Sequence, residues 1–262
     1  IRYGLLLFLQ NDKGETGIGE ASPVGVGSLG EVEAVASEIK RIGIQILNAD
    51  FVRTKDISIP IFNDTLPHLR FGLETALLDL LSKERNCSIS ELLGEVPKSV
   101  PVNALIAANK PREAAFEAKE AVANGYATIK LKVAQGTLEQ DETLLEAVRD
   151  SIGMEIKLRI DPNQAWGISE AIESLRTLEP YDIEYVEQPI TARNILGMVE
   201  VKRNSVIPIA ADEALTSLVS FERLLNADAA DILILKPARI GSIRQSQTIL
   251  ERGIKAGKQS VV

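Results

Sequence analysis

Histidine and cysteine are almost absent from this 262-residue chain, which has one of each, His68 and Cys87. Zinc cages and histidine-based catalytic triads need more such partners, so both chemistries are excluded. A single thiol cannot form an intrachain disulfide, which fits a reducing compartment, and Cys87 reads as a small buried apolar group. His68 opens an apolar helical stretch and reads as structural. No Lys/Arg-rich tract breaks an acidic composition of net charge −8. Nucleic acid and anionic membrane surfaces are therefore excluded as partners. No apolar run approaches the roughly 20 residues that cross a bilayer. The opening IRYGLLLFLQNDKG is too short an apolar block for a signal peptide, so a soluble cytoplasmic protein is expected.

Hydrophobic residues make up 45% of the chain, enough for a substantial core. Residues 1–98 read as a small α+β domain. YGLLLFLQ and GIGEAS are strands around the turn NDKGETG, and apolar positions recur at helical spacing from Glu31 to Leu47 and from Leu69 to Leu80. Pro97 and Pro101 bracket a connector. Over 99–262, VNALI, ATIKLKV, IKLRID, IEYVE, IPIAAD, DILILK and QSVV alternate with amphipathic helices, the signature of parallel βα units. The fold class is therefore α/β: a TIM-like (β/α) barrel, incomplete at its C-terminal side because only seven strands are legible, with an N-terminal α+β capping domain. A chain truncated before its eighth strand is the expectation, because unpaired strand edges are avoided in folded proteins.

Several strands end in a charged residue. From Lys132 the steps to Asp161, Glu187, Asp212 and Lys236 are 29, 26, 25 and 24 residues, about one βα unit each. Such positions fall at equivalent C-terminal strand ends, where barrel enzymes build their sites. Lys130 and Lys132, two apart, share a strand face. On an isolated strand they read equally well as a wet face, but a parallel barrel covers both faces and turns them into its mouth. There, burial and neighbouring cations lower an ammonium pKa toward that of a base. Acids at strand ends can also cap the following helix, a reading open to Asp161 before Pro162. Three in succession point further: converging carboxylates need a cation, and an all-oxygen set favours Mg²⁺, with Mn²⁺ as substitute. Around such a ring Lys236 falls opposite Lys132, one ammonium on either side of a substrate.

The ordered motifs IKLKV, RIDPNQAW, VEQP, ADEAL and LKPARIGS resemble the barrel of the enolase superfamily, muconate-lactonising subgroup. GIGEASP and LRFGLETALLDLL resemble its capping domain. Asn103 in VNALI and the run Lys236-Pro237 to Gly241-Ser242 resemble the o-succinylbenzoate synthase family within it. That resemblance implies a small-molecule carboxylate substrate, dehydrated with Lys132 as base and then acid, Lys130 beside it, and Lys236 supporting the anion. It implies Mg²⁺ on Asp161, Glu187 and Asp212, with Asn163 and Glu213 steadying these ligands. Arg159 is read as a substrate contact or an ion-pair partner, and Ser242 with Gly241 as contacts to a succinyl carboxylate. N-acylamino-acid racemase, dipeptide epimerase and muconate cycloisomerase are the alternatives, and a non-catalytic fragment or pseudoenzyme is the rival outside enzymes. By analogy a homo-oligomer is expected. Gly25 to Gly30 matches G-x-G-x-x-G, with Asp50 beyond it, but no return strand completes a nucleotide-binding unit, so it reads as a loop. Trp166 reads as a rim cover or a ring that stacks on substrate.

Overall fold

Asn11 starts the turn that joins the first two strands: its side-chain oxygen accepts the backbone N–H of Lys13 and of Glu15, a local bond that favours a turn over a continued strand. Strands β1 (Leu5–Gln10) and β2 (Thr16–Ala21) pair antiparallel around it. The computed structural model describes residues 3–23, 29–47, 66–96 and 98–262. Gly25 to Ser28 of the glycine motif, Asp50 and Pro97 lie outside them. Helices α1 (Leu29–Leu47) and α2 (Pro67–Glu84) follow. Leu7, Ala21, Val35, Ile42, Leu69 and Leu73 close one apolar core between hairpin and helices.

Helix α2 meets β2 backbone to backbone. A Cβ on Gly19 would stand 1.9 Å from the Gly72 carbonyl oxygen, and one on Gly17 2.0 Å from that of Ala76. Only glycine allows this approach. Gly19→Ala is expected to destabilise the protein by about 3 kcal/mol in urea unfolding, through overpacking. A change under about 0.5 kcal/mol would show that the two elements are not in such contact.

After the short helix α3 (Ile89–Leu92), seven parallel strands alternate with helices in chain order. They are β3 (Ala104–Ile106), β4 (Thr128–Lys132), β5 (Lys157–Asp161), β6 (Ile183–Glu187), β7 (Ile209–Ala211), β8 (Ile232–Ile234) and β9 (Gln259–Val261). Helices α4 (Pro111–Ala123), α5 (Leu138–Ile152), α6 (Ile168–Leu178), α7 (Ile195–Arg203) and α8 (Leu218–Ala227) connect them through β8. Each strand pairs with its sequence neighbour, so the sheet curls as an open (β/α) barrel whose edges are β3 and β9. The helices start where the sequence caps them: in α5, Thr137 accepts the Gln140 N–H and Gln140 accepts that of Thr137. All seven strands read from the alternating apolar runs are present. Among the described residues no helix is long and apolar enough to cross a membrane.

The chain divides into two compact units, 1–98 with 236–249 and 99–235 with 250–262. Reading 99–262 as one continuous barrel segment therefore needs a correction. Helix α9 (Pro237–Ile240) and the start of α10 (Ile243–Lys255) pack within the first unit. Arg70 on α2 donates to the carbonyls of Ile240 and Gly241 at 2.6 and 2.8 Å. Glu74 accepts the backbone N–H of Ile243 at 2.8 Å, capping α10 with a buried carboxylate. Charged partners on another helix, invisible in the spacing, decide where this segment packs.

Candidate active site and metal centre

Parallel pairing aligns Lys132 with Asp161 across β4 and β5, and Lys130 with Arg159 one layer deeper. Glu187 ends β6, and Asp212 follows β7 directly. The register therefore brings to one end of the sheet side chains that lie dozens of residues apart. Asp161, Glu187 and Asp212 are each 2% exposed or less. Burying carboxylates in this way is costly unless they are paired.

For Asp161 and Glu187 the pairing is supplied by lysine. The Lys130 ammonium stands 2.9 Å from Asp161 and 2.6 Å from Glu187, bridging them, and Lys132 stands 2.7 Å from the same Asp161 oxygen. Lys132 also donates to Asn163 Oδ1, whose backbone N–H is held by Asp161 at 2.9 Å. Asn163 Nδ2 reaches Glu213 Oε1 at 3.4 Å. Lys130, Lys132, Asp161, Asn163, Glu187 and Glu213 thus form one network. Asp212 lies close enough that its charge acts on Glu187.

The two bridged acids differ. Burial pushes the Asp161 carboxyl up, but two ammonium groups outweigh it and hold the group below the usual carboxylate range. Burial also pushes the Glu187 carboxyl up, and there Lys130 alone cannot offset it because Asp161 and Asp212 add like charge. For Lys130 itself, burial works downward, yet Glu187 and Asp161 overcome it and leave the ammonium above its ordinary pKa. The lowered lysine pKa expected from burial and neighbouring cations is corrected at Lys130, because its nearest neighbours are anions.

No group of three or more acidic, histidine or cysteine side chains among the described residues stands ready as a metal cage. The ammonium of Lys130 lies between two of the expected ligands instead. The donor set nevertheless fits a hard divalent ion: three buried carboxylates, no nitrogen or sulfur ligand, and a surplus of negative charge felt at Glu187.

Other residues read as site candidates are committed elsewhere. Arg159 donates to Glu184 at 2.6 Å and to Asn103 at 3.2 Å and lies over the Tyr185 ring, so of its two readings the structure shows the ion pair. Ser242, expected at a substrate carboxylate, has its buried hydroxyl donating to Glu74 at 3.1 Å. The Gly241 carbonyl accepts Arg70, and its φ of +85 serves the turn between α9 and α10. Lys236 stands at the N-terminus of α9, with its carbonyl accepting the N–H of Arg239 and of Ile240. Trp166 is 6% exposed and its backbone N–H bonds the Pro189 carbonyl. Beside Lys132 opens a cavity of about 420 Å³ lined by Asn109, Lys110, Gln135, Gln140 and Leu144.

One residue of this region escaped the sequence reading. Gln188 is fully buried and bonded on every side. The available signal was an amide placed directly after a strand-end acid, in a sheet covered on both faces.

The family model described as enolase C-terminal domain-like matches residues 113–261, more than half of the chain. The chain belongs to the enolase superfamily. Curated relatives of this superfamily member include a hydrophobic dipeptide epimerase of Enterococcus faecalis, 28% identical over 97% of this chain and 72% of that protein. An L-Ala-D/L-Glu epimerase of Clostridium acetobutylicum is 31% identical over 91% of this chain and 68% of the relative. An o-succinylbenzoate synthase of Thermobifida fusca is 39% identical over 60% of this chain and 48% of that protein. Among solved structures, the muconate lactonizing enzyme of Pseudomonas putida superposes with a TM-score of 0.90 at 26% identity, over 99% of this chain and 74% of the other. The E. faecalis dipeptide epimerase, complexed with Mg and the dipeptide L-Leu-L-Tyr, matches with the same score and identity over 98% and 73%. The chain is thus an enolase-superfamily enzyme of the lyase and epimerase type.

Proposed function

We propose that this chain carries the active site of a dehydratase, an o-succinylbenzoate synthase, acting on 2-succinyl-6-hydroxy-2,4-cyclohexadiene-1-carboxylate. The observation that carries the reading is Lys132, its Nζ 2.7 Å from Asp161 at the rim of three buried carboxylates. In this reading the strand ends of the barrel carry the site, in a cytoplasmic protein with a single thiol. Asp161, Glu187 and Asp212 would hold Mg²⁺, or Mn²⁺ in its place, and a divalent ion there supplies Lewis-acid polarisation of a bound carboxylate.

The remaining work falls to side chains. Lys132 as the free amine takes the proton from the carbon alpha to the carboxylate, and the electron pair left behind delocalises toward the carboxylate oxygens. The pair returns as the C–O bond at the neighbouring carbon breaks. The departing hydroxide takes the proton back from Lys132 and leaves as water, so base and proton count are restored. Lys130, fixed between Asp161 and Glu187, keeps its ammonium beside the reaction. Lys236 supports the anion, a role argued from its place one unit beyond Asp212. Asn163 holds the Lys132 amine through its side-chain oxygen.

The 39% identity to the T. fusca synthase over 158 residues supports this substrate. A second reading, epimerisation of a dipeptide or an N-acyl amino acid, is favoured by the coverage of the E. faecalis and C. acetobutylicum relatives, over 97% and 91% of this chain. There Lys132 and Lys236 would share the proton transfers. The purified protein with Mg²⁺ should convert the cyclohexadiene acid to its aromatic product, followed by ultraviolet absorbance. Deuterium exchange at Cα of dipeptides in D₂O, without dehydration, would replace the first reading with the second.

A further inference from the structure

We infer that Gln188 is a positioning residue: its buried amide sets the Asp212–Ala214 turn against the end of β6 so that Glu187 and Asp212 can take one divalent ion together. The inference rests on the reading of Asp161, Glu187 and Asp212 as ligands. Its grounds are the bonds of a side chain that touches no carboxylate. Gln188 Oε1 accepts the backbone N–H of Asp212 and of Ala214, both at 3.0 Å. These two amides flank Glu213, so one oxygen fixes the turn that carries both acids. The other end of the amide, Nε2, donates to the Ile190 carbonyl at 3.0 Å and meets Met198 Sδ at 3.3 Å.

The Gln188 backbone is tied as tightly. Its N–H donates to the Ala210 carbonyl, and its own carbonyl accepts the Gln164 N–H, both at 2.8 Å. Its φ is +43, and Asn163 and Gln164, behind Asp161, also lie in the left-handed region at +48 and +67. Asparagine enters that region readily, but glutamine rarely does without bonds to hold it, and the bond between Gln164 and Gln188 joins the two turns. The turns that follow two of the three strand-end acids are thereby clamped to each other, and the third is clamped to both through Gln188. Only a neutral amide accepts two N–H groups at one end while donating to a carbonyl at the other, without adding charge to a cluster already rich in carboxylates. A group one bond removed from a ligand orients it, and loss of such partners typically lowers metal affinity about 10- to 100-fold.

The test uses Mn²⁺, counted as free ion by electron paramagnetic resonance, on the full chain. Wild type is expected to bind and Asp212→Asn to lose binding. Gln188→Met, nearly isosteric but without the acceptor, should bind about 10- to 100-fold more weakly. Gln188→Asn draws the carbonyl back by about 1.5 Å and should show a similar loss, which covers the case in which the methionine variant does not fold. Met198→Ala loosens the same packing but leaves the Asp212 and Ala214 bonds in place, so its affinity should stay near that of wild type. Affinities of both Gln188 variants within about threefold of wild type would overturn the inference while leaving the metal reading intact. An equal loss in Met198→Ala would overturn it too, by making the effect one of packing. No Mn²⁺ binding by wild type would instead overturn the ligand reading, and this inference with it.

Discussion

Lys132→Ala is expected to lower turnover by at least about 10³-fold, whichever carboxylate substrate is supplied, because the group that exchanges the proton is gone. The protein should still fold. Asp161 keeps the Lys130 ammonium at 2.9 Å and the Asn163 backbone N–H at 2.9 Å, so removing Lys132 does not strand a buried carboxylate. Far-ultraviolet circular dichroism and the thermal midpoint should therefore stay near wild type while product formation disappears. Lys132→Arg sharpens the argument: the positive charge remains, but a guanidinium does not give up its proton in a protein. It should be as inactive as the alanine variant. More than about a tenth of wild-type activity in either variant would mean that another group is the base.

Lys130→Met has its largest effect on stability, and that effect should depend on metal. Removing this ammonium leaves Glu187, already pushed up by burial and by Asp161 and Asp212, without its 2.6 Å ion pair. Breaking one side of a buried pair typically costs about 3–5 kcal/mol, and the lower end applies because Lys132 still serves Asp161. With EDTA the variant should unfold at markedly lower urea concentration than wild type. Saturating Mg²⁺ should recover much of the difference, since a ligand at about 100 times its Kd stabilises a protein by roughly 2.7 kcal/mol. Equal midpoints in EDTA would show that the bridge contributes nothing. A deficit untouched by Mg²⁺ would argue against a divalent ion among these carboxylates.

Both expectations trace to features readable at different levels. Seven strands and their order were legible because each short β-rich run is bounded by turn residues and followed by a helix of regular period. The charged strand ends were legible because one βα unit occupies nearly constant length. Arg159 was ambiguous, since the sequence gives its strand face but not the Glu184 carboxylate that takes its guanidinium. The partners of Ser242 and Gly241 were not legible for a related reason: they stand near a motif lysine, yet they bond Glu74 and Arg70, about 170 residues away. Gln188 drew no notice because an amide beside an acid looks like any polar loop residue until its four bonds are drawn.

The sequence by itself determined the periodicity of the sheet and the residue types at its ends, because local apolar spacing and unit length set which side chains leave each strand at the same level. Only the tertiary structure decided which charges meet. Whether Lys130 is driven toward or away from its charged form, and whether the segment after Lys236 packs on α2, depends on groups brought within about 3 Å by strand register and helix contact, and Coulomb and hydrogen-bond energies depend on that distance rather than on separation along the chain.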